Sequence, residues 1–145
     1  MSDPSSDASR CRKAVFAAAL ASASTMLLLE GVWLGFLAKG FYDAHLGALR
    51  ASAVFWPAAG LFYAMYITAI VRFAVIGTRD RGQAFRRGAQ LGMVAYSTYE
   101  LTNWAVIEGW PAALVPFDIA WGIGLTGAAG WVGKIIYSKW LGQRL

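Results

Sequence analysis

Charged residues are scarce in this sequence, and so are the residue types that most enzymes use for metal binding or covalent catalysis. Asp, Glu, Lys and Arg make up 14% of the 145 positions, against about 25% in soluble domains. The single cysteine, Cys11, excludes an intrachain disulfide, and the single histidine, His45, has no neighbours at metal-ligand spacing. Because no nucleophile motif or phosphate-binding loop occurs either, we expect no metal site and assign no catalytic residue.

Apolar and aromatic residues are abundant instead. Hydrophobic residues make up 58% of the chain, which also contains seven tryptophans. This excess predicts one integral membrane domain with an all-α fold, a four-helix bundle. Hydropathy places its spans at about 14–38, 51–76, 86–107 and 111–136, and the third is the most polar. Each exceeds the ~20 residues that cross a hydrocarbon core.

The segments outside the spans are short. Residues 1–13 are polar and predict a solvated N-terminal tail, and residues 138–145 form a basic C-terminal end beyond a membrane domain at 14–137. Residues 39–50 predict a small interfacial helix. The third link is only EGWP, whose glycine and proline suit a helix end and a helix start. Spans three and four are therefore predicted to form a tight antiparallel hairpin.

The basic residues are distributed unequally between the two sides of this bundle. Ten Lys and Arg residues fall on the side of the termini and the second link, and two fall on the other side. By the positive-inside rule, both termini face the cytoplasm, matrix or stroma, in a bacterial inner membrane or an organelle inner membrane. A basic cluster between apolar segments favours anionic lipid headgroups over nucleic acid as a partner. The cluster comprises Arg79, Arg81, Arg86 and Arg87.

Three spans each contain one carboxyl group at a similar depth. Glu30, Glu100 and Asp118 each lie seven or eight residues from the outer end of their span, about 10–12 Å below the membrane boundary. Ionisable residues are costly inside a membrane and mark functional sites by default. We therefore predict an acid layer in the outer half of the bundle.

Aromatic and amide residues share helix faces with these acids. Because spacings of three and four residues bring side chains together, Glu30 lies near Trp33, Asp118 near Trp121, and Glu100 near other polar side chains. The predicted pocket binds a ligand or a proton; alternatively, the carboxyls are structural and form interhelical hydrogen bonds of about 0.6 kcal/mol each. The candidates are Glu30, Trp33, Tyr63, Tyr96, Glu100, Asn103, Asp118 and Trp121.

Span four contains a literal G-x-G-x-x-G sequence at residues 122–127. In a dinucleotide-binding fold this motif follows a strand and opens a helix, whereas here it lies within a span, so we reject that interpretation. Gly122, Thr126 and Gly130 recur at every fourth position and predict a small-residue face for close helix packing.

Several short motifs occur in a fixed order along the chain: Glu30-x-x-Trp33-Leu34-Gly35, Phe41-Tyr42, Tyr99-Glu100-Leu101-Thr102-Asn103, Gly109-Trp110-Pro111 and Asp118-x-x-Trp121-Gly122. Together they resemble domain-of-unknown-function family 2177, over about residues 20–130. That family is mainly bacterial and consists of small proteins with four predicted spans, so the resemblance implies this fold and marks the acid layer. Glu30 and Glu100 stand where the family usually has aspartate. The resemblance implies no activity.

Three functions fit these features. We favour a non-catalytic accessory subunit of a larger membrane complex, because the chain has short loops, no soluble domain and small-residue faces. The alternatives are a proton-coupled or small-molecule transporter that uses the acid layer, and a membrane enzyme that acts on a lipid or isoprenoid. Membrane lipids and other membrane subunits, or a second copy, are the expected partners. No cofactor is evident, although the pocket is compatible with a bound lipid or pigment.

Overall fold

The computed structural model describes residues 4–37, 39–46 and 53–142, and this part of the chain is all-helical. The predicted all-α architecture is therefore confirmed. Its elements are α1 (Pro4–Val32), which continues as the π-helical segment π1 (Trp33–Leu37), α2 (Lys39–Leu46), α3 (Trp56–Ala69), which continues as π2 (Ile70–Val75), α4 (Arg81–Val106) and α5 (Leu114–Leu141).

Three helical stretches of the described chain are long and apolar enough to cross a membrane: Asp7–Phe36, Trp56–Val75 and Leu114–Leu141. The fourth long helix, α4, has 26 residues and lower hydropathy, as expected for the most polar span. Its length, about 39 Å at 1.5 Å per residue, is still enough for a crossing. The chain is thus a helical membrane bundle, and α4 is stabilised in it by extensive packing against α5.

Helices α1 and α5 are antiparallel. Ser22 donates a hydrogen bond to the Ala129 carbonyl at 3.0 Å, whereas beyond the end of α1 the Trp33 ring stacks on Trp121. The start of α1 and the end of α5 therefore share one end of the bundle. We call this the basic end, because the arginine-rich α3–α4 link lies there, and we call the opposite end the acid end. Which of them faces the cytoplasm stays a prediction.

The contact between α4 and α5 is made by glycines. A Cβ atom on Gly92 would lie 2.2 Å from the Gly122 carbonyl oxygen, and one on Gly122 would lie 2.1 Å from the Tyr96 ring. A Cβ atom on Gly130 would lie 3.0 Å from a carbonyl oxygen of α4, and Thr126 is fully buried. Gly122, Thr126 and Gly130 thus lie along the surface of α5 that meets its neighbours.

The N-terminal segment differs from the expected tail, because α1 begins at Pro4. Residues 5–29 contain neither glycine nor proline, so nothing interrupts the helix, and extending an existing helix needs no new nucleus. The described side chains of this segment are nevertheless exposed up to Lys13, apart from a half-buried Ser9. The segment expected to form an interfacial helix contains helix α2, and its place at the membrane interface stays a prediction. The side chains of Phe41, His45 and Leu46 lie outside the described residues.

Helix α4 begins five residues before the predicted span because Asp80 caps it. The Asp80 carboxylate accepts a hydrogen bond from the backbone N–H of Gln83 at 2.8 Å, and the Gln83 side chain accepts one from the backbone N–H of Arg79 at 2.7 Å. This arrangement is similar to a capping box, except that the Gln83 side chain bonds to the residue before the N-cap instead of to the N-cap itself.

The cap makes a pH-dependent contribution to stability. The hydrogen bond from the Gln83 backbone N–H holds the pKa of Asp80 below its ordinary value of 3.8. The ionised cap therefore stabilises the fold fully above pH 3.8, and this stabilisation is lost as the pH falls through the folded-state pKa. We expect Asp80→Ala to lower the unfolding temperature at pH 7, and the difference from wild type to shrink below about pH 4. Thermal unfolding between pH 7 and 3 checks this. The matched control is Asp80→Asn, which keeps an uncharged cap, and a difference unchanged at pH 3 would contradict the assignment.

Candidate functional site

The acid end contains the three predicted carboxyls, and the structure divides them between two groups. Glu30 on α1 and Asp118 on α5 interact electrostatically and share aromatic neighbours. Glu100 on α4 makes its contacts with the α4–α5 link, and among the described residues it has no direct contact with the other two carboxyls. We refer to the Glu30 cluster and the Glu100 cluster.

Phenol groups from two helices surround the Glu30 carboxyl. The Tyr96 hydroxyl donates a hydrogen bond to Oε1 of Glu30 at 2.9 Å, and the Tyr96 ring rests on Gly122. On α3, Tyr63 and Tyr66 lie within electrostatic range of Glu30. The small residue at 122 therefore gives Tyr96 the room to reach across from α4 to α1.

Two stacked indoles form the other side of the Glu30 cluster. The rings of Trp33 and Trp121 are 4.4 Å apart between centroids and inclined by 8°. Trp121 also lies beside Glu30 and interacts with its carboxyl through a side-chain hydrogen bond, and the Nε1 atom of the indole is buried. Trp33 is the first residue of π1, and single-turn π segments are frequent at functional sites.

Tyr42 joins this cluster, although it was not among the predicted candidates. Its hydroxyl donates a hydrogen bond to Asp118 and accepts one from Nε1 of Trp33 at 3.4 Å. Helix α2 thus returns over the start of α5, and Tyr42 contacts a residue 76 positions away. The available signal was its place in the Phe41-Tyr42 motif, since helix periodicity cannot predict a contact across a turn.

We expect Tyr42→Phe to release α2 from α5 without unfolding the bundle. The substitution removes the hydrogen bond to the Asp118 carboxyl, which contributes about 1.5–3 kcal/mol when the partner is charged and less when it is neutral, together with the longer bond accepted from Trp33. Hydrogen exchange of the α2 backbone amides should accelerate, while exchange in α4 stays unchanged. Asp118→Ala, which removes the acceptor, should produce the same local effect, and combining the two changes should add little. Additive effects would show that the two side chains act separately.

The Glu100 cluster lies where α4 meets the tight link to α5. Glu100 is fully buried, and its Oε2 atom accepts a hydrogen bond from Nε1 of Trp110 at 3.0 Å. The Trp110 ring meets Tyr99 edge-on at 5.8 Å, and Asn103 lies beside Tyr99. Gly109 adopts a φ of 78°, which permits the reversal that brings Trp110 back onto α4.

An apolar groove of about 270 Å³ opens between α3 and α4. It exists because α3 packs against α1, whereas the π2 segment packs against α4 and α5, so span two diverges from α4 towards the acid end. The hydroxyls of Tyr66 and Tyr96 bond to Thr126 and Glu30, away from the groove. The lining consists of Phe62, Tyr66, Ala95, Tyr96 and Tyr99.

The basic end contains the four predicted headgroup-binding arginines, Arg79, Arg81, Arg86 and Arg87, and all are exposed. The Arg81 guanidinium lies 5.8 Å from the centre of the Trp131 ring. Binding of lipid headgroups by the four arginines stays a prediction.

Lys134, also at the basic end, differs from these arginines because it is only 2% exposed. Its ammonium group donates a hydrogen bond to the Thr78 carbonyl at 2.6 Å.

Residues 4–37, 39–46 and 53–142 contain no group of three or more His, Cys, Asp or Glu side chains that could hold a metal ion.

Comparison with known proteins assigns the chain to a family. A search of the curated proteins and a search of the solved structures each returned no match. One family model matches residues 15–135, a range that includes both clusters, and it carries the description "Predicted membrane protein (DUF2177)". The resemblance drawn from the motifs is thereby confirmed, and this chain is a membrane protein of the DUF2177 family.

Proposed function

We propose that this protein is a non-catalytic subunit of a larger membrane assembly, and that its buried carboxyls hold the acid end in shape. One observation supports the proposal most directly: each of the three carboxyls of the predicted acid layer accepts a hydrogen bond from an aromatic donor on another element. The pairs are Tyr96–Glu30, Tyr42–Asp118 and Trp110–Glu100. Each pair joins segments that helix packing alone leaves separate.

These pairs argue against an enzyme that uses the same acids. A general acid or base must come within hydrogen-bond reach of the substrate proton that it transfers. Here Glu30 and Asp118 already bond to phenols of the protein, and Glu100 bonds to an indole. One oxygen of each carboxyl is therefore committed to a bond within the protein, and the second oxygen of Glu100 is buried, so the arrangement favours ordering of the bundle.

The outward face of α4 supports the presence of a partner. This helix exposes Gln90, Thr98 and Thr102, and the Thr102 hydroxyl donates within the helix to the Thr98 and Tyr99 carbonyls. Thr98 and Thr102 belong to one shallow groove that Ser97 also lines. Polar side chains that face lipid are unfavourable, and small or polar residues favour contact between membrane helices. We assign this face to a helix of the partner.

The mass of the native particle tests the proposal. After mild detergent extraction, we expect a particle far larger than two copies of this 15.7 kDa chain, with the same co-purifying chains in every preparation. Val94→Trp on the outward face of α4 should remove those chains. Leu20→Trp on the exposed surface of α1 is the matched control and should retain them. A lone monomer or homodimer would overturn the subunit assignment.

Transport is the second candidate function, because an apolar groove borders Tyr96, which donates a hydrogen bond to Glu30. A triple substitution of the carboxyls separates the structural role from transport. Glu30→Gln, Glu100→Gln and Asp118→Asn each keep a carbonyl acceptor and remove the titratable group. A structural role predicts intact assembly and unchanged activity of the host membrane. Loss of proton or solute flux in proteoliposomes, with assembly intact, would favour the transporter.

A further inference from the structure

Another apolar groove lies at the basic end, on the surface where α4 meets α5. We call it the Trp131 groove, and two small and two large residues line it: Gly82, Phe85, Ala128 and Trp131. Its volume of about 360 Å³ falls within the range of about 300–1,000 Å³ for ligand pockets. Because none of the lining residues is charged, the groove suits a hydrocarbon chain.

Glycines make the room for this groove. Gly82 places no side chain on the first turn of α4, and the Phe85 ring rests on Gly127, where a Cβ atom would lie 2.8 Å from it. Phe85 and Trp131 remain 41% and 39% exposed. The two rings therefore present apolar surface to the outside of the bundle, which is lipid in a membrane protein.

A guanidinium group lies at the rim of the groove. It belongs to Arg81 and lies 5.8 Å from the centre of the Trp131 ring, the same ring that lines the groove. A contact with a ring uses the flat face of a guanidinium, whereas its N–H groups lie in the plane and match the oxygens of a phosphate in pairs. No acid in the described parts of the chain forms an ion pair with Arg81. This arginine is therefore suited to binding an anion beside the groove.

The other three arginines of the basic cluster are placed differently. Arg86 interacts electrostatically with Asp80, and Arg87 lines a separate depression next to Phe73. Neither of them lines the Trp131 groove, and nor does Arg79. Because the four arginines outnumber Asp80, this end still has a positive field. The field attracts a ligand whose charge is only negative and repels one that carries a cation of its own.

We propose that the Trp131 groove and Arg81 form one binding site for an anionic phospholipid. One acyl chain lies in the groove against Phe85 and Trp131, and the guanidinium binds the headgroup phosphate. The proposal goes beyond a general attraction of the basic end to headgroups, because it assigns one lipid to one arginine. It is also independent of the subunit assignment, since the site lies within one chain and a protein without fixed partners would still bind the lipid.

Binding of defined lipids to the full-length protein tests the headgroup. The protein in detergent micelles is titrated with phosphatidylglycerol or phosphatidylcholine of identical acyl chains, and native mass spectrometry counts the bound lipids. We expect one saturable phosphatidylglycerol and about fivefold weaker binding of phosphatidylcholine, whose ammonium group meets the basic cluster. Equal binding of the two lipids would overturn the proposal.

A soluble competitor tests the contribution of the acyl chain. Glycerol phosphate carries the phosphate without the chain, so at a concentration equal to that of the lipid it should not displace phosphatidylglycerol. Displacement would indicate a site for soluble phosphates and would overturn the assignment to a lipid.

Two arginine variants separate the site from general attraction. Arg81→Gln and Arg87→Gln each remove one positive charge from the same helix, so general attraction predicts equal losses. The site predicts that Arg81→Gln weakens phosphatidylglycerol binding about tenfold, as for loss of a hydrogen bond to a charged group. At 0.15 M salt, Arg87→Gln should stay within about twofold of wild type, because salt screens distant exposed charges. Equal losses would contradict the proposal.

A matched pair of variants on α5 tests the groove. Ala128→Leu fills part of it, so phosphatidylglycerol binding should fall at least about tenfold, as for displacement of two or three methylenes. Ala120 is exposed on the same helix and lies outside the groove, so Ala120→Leu should bind as wild type does. Unchanged unfolding temperatures show that the bundle is intact. Binding that survives Ala128→Leu overturns the proposal, and if that variant unfolds, the exposed Arg81 still decides it through Arg81→Gln.

Discussion

Replacement of Gly92 by alanine is expected to lower the free energy of unfolding by about 3 kcal/mol, the upper part of the usual range for overpacking. The added methyl group would lie 2.2 Å from the Gly122 carbonyl oxygen and 2.7 Å from the Thr126 hydroxyl. Backbone atoms cannot rotate away as the end of a flexible side chain can. Helices α4 and α5 must therefore separate, and the contact that positions Tyr96 is disturbed with them.

Reversible unfolding in mixed detergent micelles, followed by circular dichroism, measures this loss. Gly124→Ala is the matched control, because Gly124 lies on α5 within the same glycine-rich stretch but a Cβ atom there meets nothing within 4 Å. In a helix interior alanine is favoured over glycine by about 1 kcal/mol, so Gly124→Ala should be neutral or stabilising. If both variants have the same free energy of unfolding, Gly92 is not required for the close approach of α4 and α5.

The sequence predicted the helices because the relevant signals are local. Hydropathy identifies the apolar stretches, and spacing identifies faces, so residue spacing alone is enough to place Glu30 and Trp33 together. Helix ends were less predictable. The start of α4 depends on the hydrogen bonds that Asp80 and Gln83 accept at residues 79–83. Helix α1 extends to Pro4 because nothing in its sequence stops it.

Contacts across turns are the part of the site that periodicity could not supply. Tyr42 meets Asp118 only because α2 folds back after π1, and Trp110 meets Glu100 only because Gly109 reverses the chain. A depth argument placed Glu30, Glu100 and Asp118 in one layer, since it counts residues along each helix. A residue count does not say how each side chain is rotated about its helix axis. That rotation divides the three carboxyls between two clusters.

The groove depends on a still less local property, the divergence of α3 from α4. Its residues Phe62, Ala95 and Tyr99 read in the sequence as ordinary apolar span positions. They become the walls of a cavity because π2 packs inward while α3 packs on α1. The tilt of one helix relative to another is set by many side-chain contacts at once, and no short motif records it.

At the basic end, Lys134→Met is expected to lower the free energy of unfolding by about 2 kcal/mol, because the Thr78 carbonyl loses a charged hydrogen-bond donor and is left unpaired in a buried position. Methionine keeps most of the apolar stem that packs in the bundle, so the change isolates the 2.6 Å hydrogen bond. The bond joins α5 to the link between π2 and α4, and its loss should accelerate hydrogen exchange at residues 76–80 before the rest of the chain. Equilibrium unfolding and hydrogen exchange of the variant and the wild type measure both effects.

Lys139→Met, at an exposed lysine five positions along the same helix, is the control and should change neither the stability nor the exchange. If Lys134→Met matches or exceeds wild type in stability, burial of the ammonium group costs more than the hydrogen bond returns, and the lysine is retained for a reason other than stability.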